Sequence, residues 1–97
     1  MCNEMIKLRQ MLNDRGIKWE DASTVYYQFK FYIHRTHFTF DGIDYSVING
    51  CGTYGGYDSF KQVNDGLLEL MGGGINGGEP VGWLTAEQVL KEVGVTE

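Results

Sequence analysis

Asp41-Gly42 lies between two alternating apolar runs, His37-Phe38-Thr39-Phe40 and Ile43-Asp44-Tyr45-Ser46-Val47, and no other feature restricts the fold as much. A two-residue connection of type I′ needs positive φ at both central positions. Asp-Gly supplies that, so the segment predicts an antiparallel hairpin with a fixed turn. Fixing the turn fixes the register: Phe40 faces Ile43, Phe38 faces Tyr45 and Thr36 faces Val47. Phe38, Phe40, Ile43, Tyr45 and Val47 then form one apolar face, which needs a second layer to cover it.

Two helices can supply that layer. The first runs from about Asn3 to Arg15, with Asn3 as the expected cap and Glu4 at the positive end of the dipole. Met5, Leu8 and Leu12 recur at helical spacing as one apolar stripe, with Met11 at its edge. Gly16 fits the left-handed residue that ends such a helix, and Ile17 can fold back onto Leu12. At the other end of the chain, Thr85 and Gln88 form a capping box and Leu84 with Val89 a hydrophobic staple. Val89, Leu90 and Val93 face inward, and Gly94 closes that helix.

The remaining strands are less sharply signalled. Ile17 to Glu20 alternates as a short edge strand, and Val25 to Ile33 places Tyr27, Phe29, Phe31 and Ile33 on one face. The apolar parity then changes from odd to even before Phe38, so "HRTH" (34–37) reads as a bulge or a turn; a turn separating two strands is favoured. Asn64-Asp65-Gly66 reads as another turn, leading into a strand over Leu67 to Met71. The "GGGINGG" segment (72–78) reads as a flexible loop tip. The expected fold is therefore α+β, a single domain over 1–97. It has an N-terminal helix, a three- to four-stranded antiparallel sheet, and a C-terminal helix packed on one face.

Composition bounds the function. No run approaches the roughly 18 apolar residues of a membrane span. The first ten residues lack an apolar stretch after a basic one, so a signal peptide is not expected. Two cysteines far apart, Cys2 and Cys51, suit a reduced cytoplasm. The net charge of −5 is uneven: residues 1–40 carry +2 and residues 41–97 carry −7. That acidity opposes nucleic-acid binding and favours a basic protein partner, although a solvated surface explains it as simply.

Gly50, Gly52 and Gly55 spell G-x-G-x-x-G after Val47-Ile48. In a dinucleotide fold the third glycine opens a long helix and a second βαβ unit follows, which this chain is too short to hold. No Gly-Lys-Ser/Thr follows, which excludes a P-loop. Tyr54 and Tyr57 interleaved with glycine instead suggest rigid aromatic contact area on adaptable backbone, or tyrosines packed on the sheet edge. Asp58, Asp65, Glu69 and Glu79 surround the same loops and can make a negative patch or remain scattered solvated carboxylates. His34, His37 and Cys51 do not match structural zinc spacing, because residues three apart on a strand point to opposite faces. His37 with Cys51 lacks an orienting third group, and no carboxylate pair suits acid–base work. No catalytic residue, metal or cofactor is expected.

At "KLRQMLNDRGIKWED" (7–21) and at "GTYGGY", "GLLELM" and "GEPVGWLTAEQVL" (52–57, 66–71, 78–90) the chain resembles small accessory proteins of phages and prophages from gut bacteria. These pair an opening helix ending D-R-G with a closing G-E-P-x-G-W-L-T-A-E segment, a resemblance spanning Lys7 to about Val93. It carries no catalytic residue with it. It implies a context, the cytoplasm of a bacterial host, where small acidic phage proteins often block host machinery, anti-CRISPR inhibitors among them. The leading expectation is thus a non-enzymatic inhibitor of a CRISPR or other defence nuclease, acting by protein–protein contact. Its partner-binding residues are Tyr54, Tyr57, Asp58, Glu69 and Glu79. The alternative is a nucleotide-signal sponge that uses the Gly/Tyr loop. A third expectation is an assembly protein, homodimeric or larger, that pairs through a free sheet edge.

Overall fold

A computed structural model of the chain describes every residue except Tyr27, Phe29, Lys30, Ser59, Thr96 and Glu97. In chain order the elements begin with α1 (Asn3–Asp14), β1 (Trp19–Asp21), β2 (Thr24–Tyr26), β3 (Phe31–Phe40) and β4 (Ile43–Gly50). They continue with β5 (Tyr57–Asp58), β6 (Val63–Asn64), β7 (Leu68–Gly72), a 3₁₀ turn (Ile75–Gly78), β8 (Val81–Leu84) and α2 (Ala86–Val93). The fold is α+β.

The Asp41-Gly42 turn builds the centre as the sequence dictates. Both residues have positive φ, 54° and 76°. β3 and β4 pair with Phe40 opposite Ile43, Phe38 opposite Tyr45 and Thr36 opposite Val47. β7 joins β4 antiparallel, with Val47 opposite Leu70, and β8 joins β7. On the far side of β3, β1 and β2 lie end to end in one register, so six strands occupy five positions in the order β1/β2–β3–β4–β7–β8. β5 and β6 make a separate two-stranded hairpin. Three or four strands were expected; the pairs too short to show a period, β5, β6 and β8, account for most of the excess.

Both helices cover the same face. Met5, Leu8 and Leu12 of α1 and Ala86, Val89 and Leu90 of α2 join Phe38, Tyr45, Val47, Leu68, Leu70 and Leu84 in one buried cluster. At roughly 25 cal/mol per Å² of apolar surface removed from water, this cluster is the main stabilising term. Polar ties also link the two helices: Ala86 N–H donates to Glu4 Oε1 (3.3 Å), and Lys7 pairs with Glu87. α2 begins with the expected capping box, Gln88 N–H donating to Thr85 Oγ1 and Thr85 N–H to Gln88 Oε1. α1 ends as expected, with Gly16 at φ +67° and Ile17 N–H donating to Leu12 O (2.9 Å). Its start differs: the helix already includes Asn3, so Cys2 takes the cap position and contributes no side-chain bond.

The "HRTH" turn is a misreading. β3 runs through it without interruption from Phe31 to Phe40, and the reversal lies earlier, because Tyr26 pairs with Phe31. The expected 25–33 strand is therefore divided; Tyr27 and Phe29, placed on its apolar face, lie outside the described residues. The apparent slip in parity arises because Thr36 and His34 occupy helix-facing positions. Thr36 is fully buried, yet polar, because Arg9 from α1 reaches it: Arg9 Nε donates to Thr36 Oγ1 at 2.7 Å. The same guanidinium donates to Arg35 O (3.1 Å) and Asp21 Oδ1 (3.3 Å) and lies over the Trp19 ring, 4.7 Å from its centroid. A satisfied cation in the core replaced the apolar residue that a period-two pattern needs.

Candidate functional site

The face opposite the helices carries Arg35, Ile48 and Glu69 in one cross-strand row, and His37, Ser46 and Met71 in the next. The glycine-rich loop between β4 and β5 comes back over Glu69. Most of its backbone donors are already engaged by the protein itself. Cys51 N–H donates to Tyr32 O, Gly52 to Tyr57 O, Thr53 to Gly50 O and Gly56 to Thr53 O. Gly50 N–H donates to Thr53 Oγ1 (3.0 Å). Tyr54 N–H donates to Glu69 Oε1 at 2.9 Å, so a carboxylate of the protein itself holds the donor an anion would seek.

That bond changes the status of Glu69. The residue is 8% exposed and latches the loop to β7. Tyr54, by contrast, presents half its surface to solvent, and its ring stacks on Trp83 at 5.4 Å between centroids and 18° between planes. The stack requires Gly82, since a Cβ there would collide with the Tyr54 side chain. Trp83 N–H also donates to Tyr54 O (3.2 Å), tying the loop to β8. Trp83 itself adopts φ +56°, a left-handed backbone that costs a bulky residue about 1–2 kcal/mol, while the residue remains 57% exposed.

The other expected site residues divide. Tyr57 and Asp58 form β5 and are half-buried, with Tyr57 bridged to Cys51 at the base of the loop. Asp58 Oδ1 accepts from Phe60 N–H (2.8 Å) and Lys61 N–H (3.4 Å), closing the turn that leads to β6. Phe60, on that turn, is 98% exposed. Glu79 is exposed just before β8. Tyr54, Glu69 and Trp83 are thus brought together by hydrogen bonding and stacking, and Tyr57 and Asp58 stand beside them on the same excursion of the chain. Glu79 makes no side-chain hydrogen bond or ion pair among the described residues. Trp83 was not among the expected residues; its one sequence signal is the Gly82-Trp83 pair in "GEPVGWLTAE", a glycine directly before a large aromatic.

His34 and His37 lie on opposite faces of β3, as their spacing requires. Cys51 is five positions along the strand from His37's level, roughly 16 Å away, too far for a base–nucleophile pair. Among the described residues no group of three His, Cys, Asp or Glu side chains is arranged for a metal. A second concavity, of ≈ 780 Å³, is lined by Cys2, Val25, Phe31, Tyr32, His34 and Asn64, among others. The Asn64 amide in its wall is occupied: it exchanges bonds of 3.0 and 2.8 Å with Asn49 and also donates to Tyr32 Oη (3.0 Å). Burial holds the His34 imidazole below its ordinary value, favouring the neutral ring.

No protein-family model, curated protein or solved structure matches the chain. Among the described residues no helix is long and apolar enough to cross a membrane.

Proposed function

We propose that the protein is a non-enzymatic binding module that docks a basic protein partner on the face presented by Tyr54 and Trp83. The observation that carries this reading is Trp83. A large aromatic held at positive φ, with more than half its surface in water, opposes the stability of its own strand. Backbone strain of this kind concentrates at ligand-contacting residues, and exposed tryptophan and tyrosine are the residues that anchor protein interfaces. The excess of carboxylates over residues 41–97 supplies the complementary charge for a basic partner and repels phosphates. A defence nuclease of the host, the target implied by resemblance to phage accessory proteins, is one basic partner of that kind. The nucleotide-sponge alternative is less favoured, because most of the loop N–H groups it would use already donate to Tyr32, to the loop itself or to Glu69.

The test is quantitative capture of an RNA-guided defence nuclease by the immobilised protein, its Trp83→Asn variant and its Tyr54→Ala variant. Asparagine tolerates the left-handed backbone, so Trp83→Asn removes the ring without forcing a new conformation. Loss of both rings' contact is expected to weaken capture about tenfold or more per variant. Undiminished capture by a folded Trp83→Asn protein sinks the proposed surface.

A further inference from the structure

We infer that the group seated on the Tyr54–Trp83 stack is an arginine guanidinium of the partner, an assignment that rests on the binding surface proposed above. The protein contains its own precedent. Its other tryptophan, Trp19, is covered by the Arg9 guanidinium at 4.7 Å, with the Asp21 carboxylate accepting from the same fork. Arg9 over Trp19 is the only cation–ring contact among the described residues, and none of their cations covers the Trp83 ring. The Trp83 site has the same two components. It presents exposed aromatic surface, and a carboxylate is tied to its backbone: Glu69 Oε1 accepts from Tyr54 N–H, while Oε2 has no hydrogen-bond partner among the described residues.

Residues 41–97, which supply Tyr54, Glu69 and Trp83, hold Lys61 and Lys91 against nine carboxylates, and Arg35 shares the cross-strand row of Glu69 with Ile48 between them. A planar guanidinium stacks on a ring and donates to a carboxylate in the same pose; an ammonium is more strongly hydrated and gains less from the ring. A nucleobase could stack equally well, but its phosphates would meet the acidic surroundings and a loop most of whose donors are occupied. Charge and ring together therefore select arginine over lysine and over a nucleotide.

The probes are a hexa-arginine and a hexa-lysine peptide of equal charge, titrated into the full chain at low salt and followed by the two indole N–H resonances. Hexa-arginine is expected to bind about five- to tenfold more tightly than hexa-lysine and to shift the Trp83 indole signal. The Trp19 signal should stay still, because its Nε1 donates to Asn13 at 2.9 Å and its face is occupied. Trp83→Asn should abolish the preference for arginine. Glu69→Gln keeps an oxygen for Tyr54 N–H while removing the charge, and should weaken hexa-arginine binding about fivefold. Equal affinity for the two peptides, or an arginine preference that survives Trp83→Asn, overturns the assignment. If Trp83→Asn abolishes nuclease capture while both peptides bind alike, the docking surface stands and only the guanidinium falls. If Trp83→Asn leaves capture intact, both fall.

Discussion

Glu69→Ala tests whether a buried carboxylate fixes the loop that presents the aromatic pair. The substitution removes the acceptor of Tyr54 N–H, 15 residues away in sequence and bonded at 2.9 Å. An unmet backbone donor costs about 1–3 kcal/mol when fully buried. This bond is only partly buried, so water can occupy part of the vacated space and the expected cost falls to about 1–2 kcal/mol. For a domain of this size each kcal/mol lowers the melting temperature by about 4–8 °C, so a loss near 1.5 kcal/mol predicts a drop of about 6–12 °C. Glu69→Gln retains an oxygen in the same place and should lose about 1 kcal/mol or less. Thermal unfolding by circular dichroism gives the stabilities, and amide hydrogen exchange at Tyr54 reports the latch itself, where protection should collapse in Glu69→Ala and persist in Glu69→Gln. A Glu69→Ala protein that melts within a degree of wild type, with Tyr54 still protected, would refute the latch.

Three further outcomes follow from single contacts. Gly82→Ala places a methyl group against the Tyr54 side chain and should cost about 1–3 kcal/mol of overpacking, with loss of the stacked-ring signal in near-ultraviolet dichroism; an unchanged spectrum contradicts the close approach. Thr85→Ala removes one half of the capping box and should cost about 1 kcal/mol, read as a melting shift of about 4–8 °C. The hydroxyl and N–H of Ser23, followed by Arg9, hold the Asp21 carboxyl down at about 2. Because the folded value is depressed, the stabilisation is complete above the ordinary value of 3.8 and disappears as pH falls through about 2. Urea midpoints measured from pH 5 to 2 should therefore decline less steeply in Asp21→Asn, and parallel curves contradict the assignment.

Where the fold depends on neighbours in sequence, the sequence was a good guide. Asp41-Gly42 demanded positive φ at both positions and so set the β3–β4 register. Gly16 and the Thr85/Gln88 pair likewise bounded their helices through bonds no longer than five residues. The errors came where a distant partner changed what a residue type means. Thr36 and His34 read as a break because polar side chains do not ordinarily sit at core-facing positions. Thr36 does so only because Arg9, 27 residues away, brings a donor to it. The Val25–Ile33 run looked like one strand because its alternation carries no information about a reversal between Tyr26 and Phe31.

The candidate site shows the same division more sharply. Glu69 alternates correctly, outward between the buried Leu68 and Leu70, and an outward carboxylate normally meets water. Here the outward face is where the glycine loop lands, so the residue expected to steer a partner instead holds the backbone of Tyr54 in place. The exposure of Tyr54 fits its setting, with Gly55-Gly56 directly after it and Gly52 two residues before leaving little neighbouring chain to cover the ring. Trp83 carried no comparable signal, since no residue type in its sequence neighbourhood announces a left-handed tryptophan; both that backbone and the approach of Tyr54 over Gly82 are seen only in the fold. The glycines of the loop therefore serve close packing and sharp turns: a Cβ at Gly55 would meet Leu67 and Trp83, one at Gly56 would meet Thr53 and Gly50, and Gly52 takes a positive φ. The proposed arginine site depends on that packing, because the loop it shapes is the one that sets the Tyr54 ring on Trp83 and its N–H on Glu69.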